Sequence, residues 1–391
     1  MKIVYITTAI DSNDYKSFTK LWIKSPNPSN QNFHNKLIRS ISLTNEIHVI
    51  SIRPFSKKLC KTRKLKAEPA KTDGNITWHY LAISGDKLSR LISVKRQAKS
   101  IFKHIYKKDE DIVIFTDTIN PLCINVANSL SKKYQIPTIG ICTDSPSNIT
   151  GTTKTYTTYL LKQASKCYAY LALTQELNDL FNPSNKPSLI VEGLVEPHTP
   201  SVNAIGISDP YFFFAGALLE RYGIYNLIEA FGMLKTTKVD LYICGHSGNE
   251  EKLKAAIKDN PLIHYLGTLP VSIVLDYECA ALANINPRPY SEDLDRFSIP
   301  SKTIEYLSSG RPTISVKNTK LMKHFKENAI WARSSEPEDL CQAMRTVINL
   351  TKEERKTLGS EAKEKANALY SLKSINRRIH SFLELFKTRV N

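Results

Sequence analysis

The chain has no run of eighteen consecutive apolar residues, so no segment reads as a membrane-spanning helix. Its seven cysteines are scattered singly, odd in number and without one Cys-x-x-Cys pair. Neither a disulfide framework nor a zinc site is therefore expected; the pattern is that of reduced thiols in a cytosolic protein. The apolar run at the start, Ile3-Val4-Tyr5-Ile6, reads as a strand and is too short for a signal peptide. Internal repeats at the scale of roughly 20–50 residues are absent, as are low-complexity tracts, which excludes a repeat architecture. Acid is scarce as well: 37 Asp and Glu face 54 Lys and Arg, a formal net charge of +17. What remains is 41% apolar and 23% charged, a globular composition, in 391 residues, too many for one comfortable core. Two domains are expected.

The positive charge is unevenly placed. Residues 53–108 hold sixteen Lys or Arg against three acids, Glu68, Asp73 and Asp86. Much of it falls in 57–66 and in a helical segment over 87–108, where Leu88, Leu91, Ile92, Ile101, Phe102 and Ile105 lie among Arg90, Lys95, Arg96, Lys99 and Lys103. Such a helix could rest on an anionic membrane surface, each nearby cation contributing about 1 kcal/mol, or could simply pack its apolar stripe on its own sheet. No nucleic-acid-binding motif accompanies the charge, so nucleic acid is not expected as a partner.

Short β-rich apolar runs alternate with helical-period segments. Strands are predicted over 2–8, 46–52, 76–83, 111–117, 137–144, 167–174 and 188–193. A second series covers 211–218, 239–245, 263–267, 281–288, 312–316 and 329–332. Helices over 119–133, 225–234 and 249–257 separate some of them. Continuous rather than alternating apolar strands mean parallel sheets covered on both faces. The predicted class is α/β, two doubly wound Rossmann-like domains facing a cleft. The linker lies over 195–210, with Pro197, Pro200, Gly206 and Pro210. A helical segment over 351–385 is expected to run back to the first domain.

The most informative stretch is Pro300-Ser301-Lys302-Thr303-Ile304-Glu305, ahead of Gly310-Arg311-Pro312 and a buried strand. Proline suits a first helical turn, leaving the N–H groups of Ser301, Lys302 and Thr303 free beside the Lys302 ammonium. That is an anion site, and for a nucleotide the anion is phosphate. Glu305, a turn further on, could accept hydrogen bonds from a ribose or sugar diol. The same residues would also serve as an ordinary Pro-capped core helix. Upstream, Phe214-Ala215-Gly216 opens a loop with Arg221, a forked donor for phosphate oxygens. Cys244-Gly245 and Tyr265-Leu266-Gly267 end further strands, and Asn286-Pro287-Arg288 leads into the acidic loop Glu292-Asp293-Leu294-Asp295.

In this order and spacing the second half resembles glycosyltransferase family 4, a retaining family of the GT-B fold, in its bacterial surface-polysaccharide branch. The specific part is Asn286-Pro287-Arg288 with Phe297-Ser298-Ile299-Pro300-Ser301-Lys302-Thr303-Ile304-Glu305-Tyr306-Leu307-Ser308-Ser309-Gly310-Arg311-Pro312. The resemblance implies a donor-binding domain over 207–372 and an acceptor-binding domain over 1–196 completed by 373–391. It places Ser301 and Lys302 at the donor diphosphate and Glu305 at the ribose, with Gly216, Arg221, Gly245 and Arg288 also in the donor site. In the first domain the loop 26–34 stands where the family's loop faces the donor phosphates, which makes Asn30 and Gln31 donor-site candidates; a turn capping the next helix is the other reading. No bound metal and no cofactor are implied. The substrates implied are a nucleoside diphosphate sugar and a glycan or lipid-linked glycan acceptor.

The chain departs from the family at three positions. Phe297 stands where many members carry a glutamate touching the donor sugar, and Ala217 and Tyr222 stand where many carry an arginine and a lysine. Two strand ends of the first domain carry the acids Asp117 and Asp144, where relatives often have a histidine; each could act on the acceptor hydroxyl or merely cap a turn. The expected activity is hexosyl transfer by a cytoplasmic protein peripheral to the inner face of the membrane. A non-catalytic partner subunit of the same fold and a nucleotide-sugar 2-epimerase are the alternatives.

Overall fold

The computed structural model describes residues 1–23, 28–56, 59–84, 86–108, 110–149, 152–200, 206–207, 209–235 and 238–387, apart from the side chains of Lys16, Asp293 and Leu294. Pro26 and Asn27 of the loop named above, Lys57 and Lys58 of the basic segment, and part of the expected linker lie outside them. The chain divides into two compact units, Met1–Leu194 with Leu372–Asn391, and Val195–Ser371. The second unit begins at Val195 because its N–H donates to the Tyr370 carbonyl at 2.9 Å, tying that residue to the unit's last helix.

In the first unit an eight-stranded sheet runs in the spatial order Ser188–Ile190, Ala169–Ala172, Thr138–Cys142, Ile112–Asp117, Lys2–Thr7, Glu46–Ser51, Ile76–Tyr80 and Lys71–Asp73. Every pairing is parallel except the last, an antiparallel edge that the apolar pattern did not announce. Lys2–Thr7 shows why the strands read as continuous apolar runs. Ile3 and Tyr5 enter one buried cluster with Leu37, Ile38 and Ile41, while Val4 and Ile6 enter another with Val94, Ala98 and Phe102. Both faces are covered, so neither can be polar. The order reverses between Lys2–Thr7 and Ile112–Asp117, putting their carboxyl ends at a topological switch point.

Helix starts follow local chemistry. The Asn120 side chain accepts from the Leu122 and Cys123 N–H groups, with Pro121 next, opening helix Pro121–Tyr134. Asp86 caps Lys87–Ile105 in the same way. The expected helical segment over 351–385 is two helices, Lys352–Tyr370 and Leu372–Glu384, because Ser371 between them is extended (φ −61°, ψ 151°). The second of these packs within the first unit on helix Pro28–Ser42. There Ser40 Oγ donates to the Leu372 carbonyl at 2.8 Å, and Asn376 Nδ2 donates to the Ser40 carbonyl at 2.7 Å.

The second unit holds six strands, all parallel, ordered Ile263–Tyr265, Asp240–Cys244, Tyr211–Ala215, Ala283–Asn286, Thr313–Val316 and Ile330–Ala332. In chain order within the unit this is 3-2-1-4-5-6, the doubly wound dinucleotide-binding arrangement. Its switch point lies between Tyr211–Ala215 and Ala283–Asn286. The strand predicted over 281–288 stops at Asn286 because Pro287 has no N–H to continue a ladder. Among the described residues no helix is long and apolar enough to cross a membrane. The seven cysteines are buried and free.

Candidate functional site

Three strand ends of the second unit close on one another through glycines. The Gly216 N–H donates to the Cys244 carbonyl at 2.9 Å, and the Gly245 N–H donates to the Gly267 carbonyl at 2.7 Å. Gly245 holds φ +139°, and a Cβ there would sit 1.8 Å from the Gly216 carbonyl oxygen, so no other residue fits. In the loop that begins at Gly216, Gly223, at φ +78°, lies against Pro287, whose oxygen would be 2.2 Å from an added Cβ. The loops after the first four strands of the unit are thereby packed at one carboxyl edge.

Helix Ser301–Leu307 is fastened to that edge. The Tyr306 hydroxyl accepts from the Ala215 N–H at 2.8 Å and donates to the Ala215 carbonyl at 3.1 Å, and burial pushes its phenol above the ordinary value. Asn286 Nδ2 donates to Thr303 Oγ1 at 2.8 Å, and Thr303 Oγ1 lies 3.0 Å from Ser315 Oγ. The helix start differs from expectation in one respect: the Thr303 N–H donates to the Pro300 carbonyl at 2.9 Å, so it is not free.

Lys302 Nζ bonds Glu305, one turn along, and lies 3.3 Å from Oε1 of Glu278, an acid on helix Val271–Ala280. Burial alone would lower the Lys302 ammonium; the carboxylates of Glu305 and Glu278 outweigh it and hold it well above its ordinary value. Lys302 stays cationic, and its side chain is 34% exposed, so it can reach a ligand from this edge. Glu278 and Tyr306 escaped the reading of the sequence. Their signals were faint: the second of two acids, after Asp276, in a largely apolar helical stretch, and a tyrosine in a core helix.

The remaining donor-site candidates are placed as follows. Ser301 is exposed at the helix start, and Arg221 is exposed in the loop after Gly216, its guanidinium 5.0 Å from the Tyr222 ring centroid. Arg288 is turned toward its own loop, with Nη2 3.1 Å from Ser298 Oγ and 3.6 Å from Asp295 Oδ1. In the first unit Gln31 is buried in helix Pro28–Ser42. Its Oε1 accepts from the Ile10 N–H at 2.9 Å and its Nε2 donates to the Thr8 carbonyl at 3.2 Å, which holds the loop after the first strand. Asn30 is half-buried in the helix's first turn.

Asp117 ends strand Ile112–Asp117 at that unit's switch point and is 2% exposed. His34 Nε2 lies 3.7 Å from Asp117 Oδ2, and His34 Nδ1 lies 2.7 Å from the Tyr5 hydroxyl. Burial, then the Asp117 charge, push the Tyr5 phenol well above its usual value. The pairing of His34 with Asp117 was not foreseen, because the two are far apart in the chain. Asp144 lies beyond Thr138–Cys142 and makes turn contacts. Its Oδ1 accepts from the Ser145 N–H at 2.8 Å and from Asn148 Nδ2 at 3.2 Å.

Residues 198–365 match the family Glycosyl transferases group 1. The chain carries that domain and is a glycosyltransferase. Sucrose-phosphate synthase from Thermosynechococcus elongatus superposes with a TM-score of 0.69 at 12% identity, covering 99% of each chain. Anabaena HepE in complex with UDP and glucose gives 0.68 at 13% identity over 98% of this chain and 100% of that one. An E. coli trehalose-6-phosphate structure bound with UDP-2-fluoro glucose gives 0.70 at 11% identity, over 98% and 99%. No curated protein sequence matches the chain. The likenesses show the fold of this glycosyltransferase, α/β and GT-B. The matched domain also takes in every donor-site candidate of the second unit.

Proposed function

We propose that this glycosyltransferase moves a hexose from a nucleoside diphosphate sugar to a hydroxyl of a lipid-linked or polymeric glycan, with retention, in surface polysaccharide synthesis. The observation that carries the reading is the meeting of Lys302 and Glu305 with the glycine-lined strand ends at one carboxyl edge of the second unit. Residues 207–372 would take the donor, and residues 1–196 with 373–391 the acceptor.

Lys302, the N–H groups of Ser301 and Lys302, and Arg221 would offset charge on the diphosphate. Gly216 and Gly245 would let it approach the backbone, and Glu305 would accept from the ribose hydroxyls. As the bond between the sugar's anomeric carbon and the diphosphate breaks, its electron pair stays on the phosphate oxygen. The acceptor oxygen bonds the same carbon from the same face, and its proton passes to the departing phosphate. Cations fixed where that charge develops supply the largest stabilisation. Of the two acids in the first unit, Asp144 is the more accessible to an acceptor hydroxyl, Asp117 being buried. UDP is the first nucleotide to test, since two of the like-folded structures hold it.

A membrane-peripheral, cytoplasmic setting is supported by helix Lys87–Ile105. Val94, Ala98, Phe102 and Ile105 are buried on the sheet, whereas Leu88 and Ile92 are 69% and 53% exposed on a helix that also exposes Arg96, Lys99 and Lys103.

Turnover with UDP, GDP, dTDP and CDP sugars tests the central reading. Lys302→Ala should lower it by on the order of tenfold to a thousandfold. Unchanged turnover overturns the assignment of the donor site, and donor conversion without acceptor points to an epimerase.

A further inference from the structure

We propose that Glu278 is a positioning residue for the donor diphosphate: it grips the Lys302 ammonium from inside the second unit and keeps it aimed at the phosphates while Glu305 serves the ribose. The inference rests on the donor-site reading above.

Glu278 is 1% exposed. Its Oε1 lies 3.3 Å from Lys302 Nζ, and its Oε2 is buried without a hydrogen-bond partner. One ammonium therefore bridges two carboxyls, a deep one on helix Val271–Ala280 and a shallower one, Glu305, on its own helix. A lysine stem has four rotatable carbons. With Glu305 as its sole partner, the ammonium would follow that side chain whenever a ligand moved it. A second partner on a separately packed helix removes that freedom. The two helices also share an anchor, since Asn284 Nδ2 donates to the Glu278 carbonyl at 3.0 Å and to Ser309 Oγ at 3.1 Å, just beyond the end of Ser301–Leu307.

For stability alone the arrangement is a poor one. Apolar residues of similar volume often serve as well as a buried ion pair, and a bare buried oxygen is a penalty. Positioning is what the group supplies. Burial, then the Glu305 carboxylate, push Glu278 well above the usual carboxylate range, toward the neutral acid.

Calorimetric titration with UDP, GDP, dTDP and CDP tests this on the wild type, Lys302→Met, Glu278→Leu, Glu278→Gln and the Lys302→Met/Glu278→Leu double variant. For the nucleotide that the wild type binds, Glu278→Leu should weaken affinity about tenfold. Glu278→Gln keeps the Oε1 acceptor and should stay within about threefold of wild type. In the Lys302→Met background Glu278→Leu should cost nothing more, because both changes remove the same interaction. An unchanged affinity in Glu278→Leu overturns the proposal, and so does the same tenfold loss in the Lys302→Met background, which would mean that Glu278 acts by packing. If Glu278→Leu does not fold, Glu278→Asp carries the same test, since it keeps the carboxyl but withdraws it by one methylene. Should Lys302→Met bind as the wild type does, or no nucleotide bind at all, the donor-site reading itself fails and the positioning role with it.

Discussion

Gly245 shows how one residue can hold a binding edge together. Its φ of +139° and the Gly216 carbonyl leave no room for a methyl group, so Gly245→Ala must push two strand ends apart. The expected cost is about 1–3 kcal/mol, read as a lower urea midpoint for the second unit, together with weaker nucleotide binding. A variant with wild-type stability and affinity would show that the loop yields without harm. Lys302 and Glu305 were legible as a pair because their spacing of three residues within one helix fixes their proximity. Glu278 was not, since it stands 24 residues before Lys302 and meets it only where two helices pack. Arg288, which the family likeness put in the donor site, has partners in Ser298 and Asp295 that its place in the chain did not announce.

Elements were legible to the extent that local patterns decide them. Continuous apolar runs buried on both faces mark the strands, and Asn120, Asp86 and Thr351 mark helix starts through their caps. The ends were less so: the strand predicted over 281–288 stops at Asn286 because Pro287 has no N–H to continue the ladder. The basic helix divides its apolar residues between two fates, which periodicity alone left open. Leu88 and Ile92 face out, so the double change Leu88→Ser and Ile92→Ser should leave thermal stability within about 0.5 kcal/mol, as surface substitutions do. The same change should reduce sedimentation with vesicles containing anionic lipid, and high salt should abolish it in the wild type. If the wild type does not sediment at low salt, the exposed pair has another role and the membrane setting is wrong.

At the scale of the whole molecule, the two units have separate buried clusters: that around Ile3, Tyr5 and Phe382 belongs to one, and that around Phe212, Leu241 and Met344 to the other. A ligand held by the second unit alone should therefore stabilise that unit alone. Scanning calorimetry with the nucleotide that binds should raise one unfolding transition, by about 2.7 kcal/mol at a hundredfold excess over the dissociation constant, and leave the other in place. Equal shifts of both transitions would place ligand contacts in both units.

The sequence by itself determined the alternation of strands and helices, the parallel sheets, the position of the basic helix, and the family likeness carried by residues 286–314. These depend on spacing within one element, and on glycine and proline at fixed offsets, which chain neighbours settle between themselves. Only the tertiary structure decided which acid lies beneath Lys302, that His34 lies 3.7 Å from Asp117, that Tyr306 clasps Ala215, and which apolar residues of helix Lys87–Ile105 face outward. Each of those depends on residues far apart in the chain, brought together when helices and sheets bury their apolar faces, and no local pattern records which pairs will meet.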